Sequence, residues 1–298
     1  MKERIRELVK ELNAIILAHN YQPPEIQDIA DLCGDSLELS IRASQTDADI
    51  IVFCGVMFMA ETASILSPEK TVLLPVHDAG CPMADMVEPG ALKAKKEALG
   101  NPPVVTYVNS TAAVKALSDI CCTSANVIDV VNSLDENEVL MTPDKNLAQY
   151  AAAHTDKTVH IWDGYCPFHN NLTREDVLQA KARHPQALFV AHPECPPEVL
   201  EMADAIRSTS GMIRFAGESD AASFILGTEV GLLYPISKAY PDKQFYETSD
   251  KMFCTDMKKI GLKDVLNSLD TLSGKVKVPE EIRKDAIRPV QRMIDLKL

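Results

Sequence analysis

Three cysteines set one repeat apart, Cys81, Cys166 and Cys254, are the residues of this chain best suited to hold a metal. Thiolates are soft ligands that favour iron–sulfur clusters or zinc over magnesium or calcium. A four-iron cubane usually takes four cysteines, so three would leave one iron open to act as a Lewis acid. A zinc ion held by three cysteines and a water satisfies the same pattern, and ordinary buried thiols are the plainest alternative. Cys33, Cys54, Cys121 and Cys122 have no counterparts in all three repeats and read as buried small hydrophobes. Cys195 follows Glu194 and could approach the site, but it too lacks repeat partners.

A second set consists of polar pairs that directly follow apolar strands: His19 with Tyr21, Tyr107 with Asn109, and His192 with Glu194. A spacing of two puts both members on one face of an extended segment. His and Glu transfer protons, while Tyr and Asn donate or orient hydrogen bonds. Glu194 is the one carboxylate among them and the candidate general base. A third set, Ser36, Ser124 and Thr209, falls where helices begin, so each is expected to cap its helix. Three helix N-termini converging on one axis would bind an anion without arginine. His169, three residues after Cys166, is expected beside the metal.

These sets repeat because the chain does. Positions 19, 31 and 36 recur 88 residues later and again after a further 85, with aspartate at 31, 119 and 204 each time. Each repeat reads as an apolar strand, a polar loop, a helix, a second strand, a helix, a third strand and a cysteine loop. Strands alternating with helices indicate parallel α/β units. Right-handed crossovers bring the strands' C-terminal ends, where ligands bind, to one edge. The expected fold is α/β: three small parallel α/β domains related by a pseudo-threefold axis around a central active-site cavity. Their expected spans are 1–88, 89–172 and 173–278. A surplus helix at 279–298 is expected to pack back on the first domain.

Composition narrows the function classes. A net charge of −13 argues against nucleic acid or an anionic membrane as partner. The longest apolar run, Ile50–Ala60, is too short to cross a bilayer, and the charged N-terminus is no signal peptide, so a cytoplasmic protein is expected. Glycine-rich nucleotide motifs are absent. An iron–sulfur sensor or a zinc-stabilised scaffold also fits the cysteines. A sensor, however, needs no ring of His, Tyr, Asn and Glu, and the basic patch of a DNA-binding one is missing.

The chain resembles the quinolinate synthase family. The matching segments are LAHNYQ at 17–22, GDS at 34–36, FMAETA at 58–63, YVNST at 107–111, CTSAN at 122–126, CPFHNN at 166–171, HPEC at 192–195 and STSGM at 208–212. The resemblance implies three stacked α/β domains and a 4Fe–4S cluster on Cys81, Cys166 and Cys254 with one open iron. It implies condensation of iminoaspartate with dihydroxyacetone phosphate to quinolinate, losing phosphate and two waters. It further implies that Ser36, Ser124 and Thr209 hold anionic groups. His19, Tyr21, Tyr107, Asn109, His169, His192 and Glu194 would line the cavity. A transient contact with the oxidase that produces iminoaspartate is also expected.

Overall fold

The apolar runs that open each repeat become the centres of three separate parallel sheets. In the computed structural model, which describes residues 1–296, the first sheet contains β1 (Ala14–His19), β2 (Leu32–Gly34), β3 (Ile50–Cys54) and β4 (Thr71–Leu73). The second contains β5 (Val104–Tyr107), β6 (Ile120–Cys122), β7 (Glu138–Thr142) and β8 (Thr158–Ile161). The third contains β9 (Leu188–Ala191), β10 (Ala205–Ile206), β11 (Ser223–Gly227) and β12 (Gln244–Glu247). In every sheet the opening strand is flanked by the two that follow it, and the fourth lies outside the third. β1 and β3 carry almost unbroken apolar runs because helices cover both faces of a parallel sheet.

The thrice-repeated aspartate turns out to lock this arrangement. Asp31 Oδ2 accepts the Ile16 N–H at 2.8 Å, Asp119 Oδ2 that of Val104 at 2.7 Å, and Asp204 Oδ2 that of Phe189 at 2.7 Å. The aspartate amides answer by donating to the carbonyls of the same three residues at 2.9, 2.9 and 2.8 Å. Each clamp ties the opening strand to the short strand beside it. It satisfies an N–H of a buried residue that would otherwise cost about 1–3 kcal/mol.

The chain's ends depart from the simple repeat. A thirteenth strand, β13 (Lys275–Val276), pairs antiparallel with β4 and extends the first sheet. Gly274 makes this possible: its φ is +76°, and a Cβ there would clash with the Leu74 carbonyl oxygen. The terminal helix runs over Glu280–Asp295, and Lys297 and Leu298 of the expected span lie outside the described residues. It does not rest on the first unit alone. It lies across helices Met57–Leu66 and Ala112–Ala116 and β6, with Arg292 donating to the Asp119 carbonyl at 2.7 Å. Its buried stripe of Ala286, Val290 and Met293 fits the seam between two units, which gives that stripe more apolar surface than either unit offers. Among the described residues no helix is long and apolar enough to cross a membrane.

Candidate active site

The strand ends and cysteine loops of all three sheets meet at two adjoining cavities. One, of about 510 Å³, is lined by Cys81, Cys166, Cys254 and His169, with Phe58 and Met83 among its apolar neighbours. The other, of about 380 Å³, is lined by His19, Ser36, Tyr107, Ser124, His192 and Thr209. Tyr21, Asn109 and Glu194 belong to both walls. Every residue singled out from the sequence therefore faces one cavity or the other. The remaining cysteines line neither cavity: Cys54, Cys121, Cys122 and Cys195 are buried, whereas Cys33, expected to be buried too, is half-exposed on the short strand β2, its Sγ donating to the Gln27 carbonyl at 3.5 Å.

The polar pairs are rigid because the backbone holds them. In the first unit the Tyr21 N–H donates to His19 Nδ1 at 3.2 Å, and in the third the Glu194 N–H donates to His192 Nδ1 at 3.3 Å. With Nδ1 accepting, the network assigns the ring proton to Nε2. His192 Nε2 then meets Ser124 Oγ at 3.2 Å. Burial pushes both His19 and His192 down to about 3, so both rings are neutral at ordinary pH.

Glu194 is the hub. Its Oε2 lies 2.6 Å from His169 Nδ1 and 3.5 Å from His192 Nδ1, and Tyr107 also hydrogen-bonds to the carboxylate. Burial alone would raise this carboxyl, but the His169 imidazole beside it outweighs burial and holds it below the usual carboxylate range. From His169 the contacts continue: Nε2 meets Thr228 Oγ1 at 3.0 Å, and Thr228 Oγ1 shares a 2.6 Å hydrogen bond with the Tyr21 hydroxyl. Burial lifts the Tyr21 and Tyr107 phenols well above their usual range, so both stay protonated donors. Among the described residues, two buried acceptors on these walls, Glu194 Oε1 and Asn109 Oδ1, have no hydrogen-bond partner.

The expected capping role is overturned. The cap of the helix Ser36–Gln45 is Asp35, whose Oδ1 accepts from Leu37 and Glu38, both at 3.1 Å. Ser208 caps the helix Thr209–Glu218 through the Gly211 N–H, and Ser124 precedes a helix that starts only at Val127. A cap must adopt an extended backbone one step before the helix, and that step falls on Asp35 and Ser208. The hydroxyl-bearing residues Ser36, Ser124 and Thr209 are thereby left on the cavity wall, and for Ser36 and Thr209 a helix N-terminus stands behind the hydroxyl.

Burial raises the thiols of Cys81 and Cys254 to about 12 and 11, and that of Cys166 well above its usual value. Three half-buried thiols, one of them 3.2 Å from His169 Nδ1, suit a cationic centre, which would stabilise them as thiolates. Among the described residues one group of possible ligand atoms falls within 4.8 Å of one another, and it is Cys166, His169 and Glu194 rather than the three cysteines. The three cysteine sulfurs do not all fall within that distance of one another.

Sequence reasoning missed Thr228, which has no repeat counterpart to reveal it. It also missed Asp144 and Glu229, although their spacing of 85 residues matches the repeat.

The family model described as Quinolinate synthetase A protein matches residues 3–295. The quinolinate synthase of Geobacter metallireducens is 55% identical over 99% of this chain and 97% of its own length. Quinolinate synthase 1 of Methanosarcina acetivorans is 54% identical, and the quinolinate synthase of Thermodesulfovibrio yellowstonii 52%, with the same coverage. With the match running essentially end to end, the chain belongs to the quinolinate synthetase A family.

Proposed function

We propose that the chain is a quinolinate synthase. It condenses iminoaspartate with dihydroxyacetone phosphate and releases phosphate and two waters. The observation that carries this reading is the meeting of one cysteine from each unit on one wall with a ring of His, Tyr, Ser, Asn and Glu on the other. A 4Fe–4S cluster on Cys81, Cys166 and Cys254 would keep one iron without a protein ligand and supply Lewis-acid activation of a hydroxyl for dehydration.

The protein's own groups have separable tasks. Ser36, Ser124 and Thr209 bind phosphate and carboxylates, with the amides at the starts of the helices Ser36–Gln45 and Thr209–Glu218 adding partial positive charge. A carboxyl held low is a weak proton acceptor, so Glu194 acts chiefly by orienting His169, whose Nδ1 lies 2.6 Å from Oε2. One route from it runs through His169 and Thr228 to the Tyr21 hydroxyl, which donates a proton. The other runs through His192 to Ser124. Tyr107, Asn109 and His19 orient the substrate. Eight free cysteines suit a reducing compartment, which supports a cytoplasmic location.

The test is product formation from the two substrates by anaerobically purified protein, beside its visible absorption and iron content. Glu194→Gln should keep the iron and lose about 10²–10⁴-fold in turnover. Undiminished turnover in that variant would remove Glu194 from the mechanism.

A further inference from the structure

Asp144 and Glu229 occupy the same place in the second and third units, just beyond the ends of β7 and β11. Each carboxylate does the same thing. Asp144 Oδ2 accepts the Cys166 N–H at 2.9 Å, and Glu229 Oε1 accepts the Cys254 N–H at 3.1 Å. The second oxygen turns back to the residues ahead: Asp144 Oδ1 takes the Leu147 N–H and Glu229 Oε2 the Gly231 N–H, both at 2.7 Å. Each side chain is therefore a strut between the end of the middle strand and a cysteine. Both are buried, at 2% and 1% exposure. In the third unit the strut is braced by Lys258, whose Nζ lies 2.7 Å from Glu229 Oε1 and also donates to the Tyr21 carbonyl.

The first unit breaks the pattern. The position 88 residues before Asp144 is Val56, which has nothing to accept with. The loop of Cys81 borrows instead from the third unit, where Asp256 Oδ1 takes the Gly80 N–H at a longer 3.3 Å. Here the carboxylate takes the amide of the neighbouring Gly80, while Cys81 is tied only within its own loop, its carbonyl accepting the Ala84 N–H at 2.9 Å.

We infer that Asp144 and Glu229 are positioning residues that fix Cys166 and Cys254 in advance of metal binding, leaving Cys81 as the adaptable third ligand. Partners that orient ligands set how tightly a metal is kept, and losing one typically costs about 10–100-fold. The inference rests on the reading that these cysteines hold the cluster. Asn or Gln in place of either strut puts an amide NH₂ against a backbone N–H, so two donors face each other.

Two measurements test it. In anaerobic holoprotein, Asp144→Asn and Glu229→Gln should release iron to a ferrous chelator about tenfold faster or more. Asp119→Asn, which weakens a clamp remote from the cysteines, should lower the melting temperature and leave the release rate as in the parent. In metal-free protein, alkylation followed by mass spectrometry should show Cys166 selectively faster in Asp144→Asn and Cys254 selectively faster in Glu229→Gln. Parental release rates, or all three thiols speeded alike, would overturn the inference. Should an amide variant not fold, Asp144→Glu and Glu229→Asp, which shift the carboxylate by one methylene, must give the same selective pattern. A parent protein that carries no iron–sulfur cluster would defeat the cluster reading instead, and the alkylation experiment would still decide whether the struts exist.

Discussion

Asp31, Asp119 and Asp204 lie only five residues from Ser36, Ser124 and Thr209, and both sets recur at the same intervals. Their work is unrelated. The aspartates clamp strand to strand within each unit, whereas the hydroxyl residues stand on a wall shared by all three. Repetition alone therefore says that a residue belongs to the unit's plan, without saying whether it serves the unit or the axis. Direction separates them: the aspartate reaches back to its own opening strand, while the hydroxyls face the other units' residues, as Ser124 faces His192.

The largest effect that would sharpen this contrast comes from pH, because His19 and His192 belong to the cavity yet bear on stability. Both are held neutral, at about 3, while the unfolded chain titrates near 6.5. Between these values the unfolded chain binds more protons, so stability is full above about pH 6.5 and falls as the pH drops. The slope should be about 1.4 kcal/mol per pH unit for each ring. Denaturant unfolding of metal-free protein at pH 7 and pH 5, with His19→Asn halving the slope, measures this. An unchanged slope would show that the cavity rings add nothing to the balance.

Next in size is Asp119→Ala, which should cost about 1–3 kcal/mol of stability by orphaning the Val104 N–H, with turnover per folded molecule unchanged. The smallest effect belongs to Ser124→Ala. It should leave the melting temperature alone and weaken substrate use about tenfold, the loss of one hydrogen bond to a charged group. A Ser124→Ala variant that melts early, or an Asp119→Ala variant that folds normally but fails to turn over, would erase the distinction.

Much of the fold was legible because long apolar runs such as Ala14–His19 and Ile50–Cys54 announce buried strands. The three flanking strands β2, β6 and β10 were not, since two or three residues carry no periodicity. β13 was invisible for another reason: it is a strand only because β4 lies beside it. In the site, residue types and spacing brought the cysteines, the polar pairs and His169 into view. The capping assignment failed by one residue at Ser36 and Thr209 and by two at Ser124, since backbone dihedral angles rather than side-chain chemistry decide where a cap falls. Thr228 stayed hidden because its role comes from a fold contact with Tyr21, 207 positions earlier.

The pairing of β13 with β4 also orders events in time. The first sheet leaves the ribosome first, yet its last strand is supplied by residues 275–276. Until they arrive, Thr71–Leu73 presents a bare edge able to recruit the strand of another molecule. The unit made earliest is finished latest, and a nascent chain stopped short of its final thirty residues would carry that open edge into the crowd.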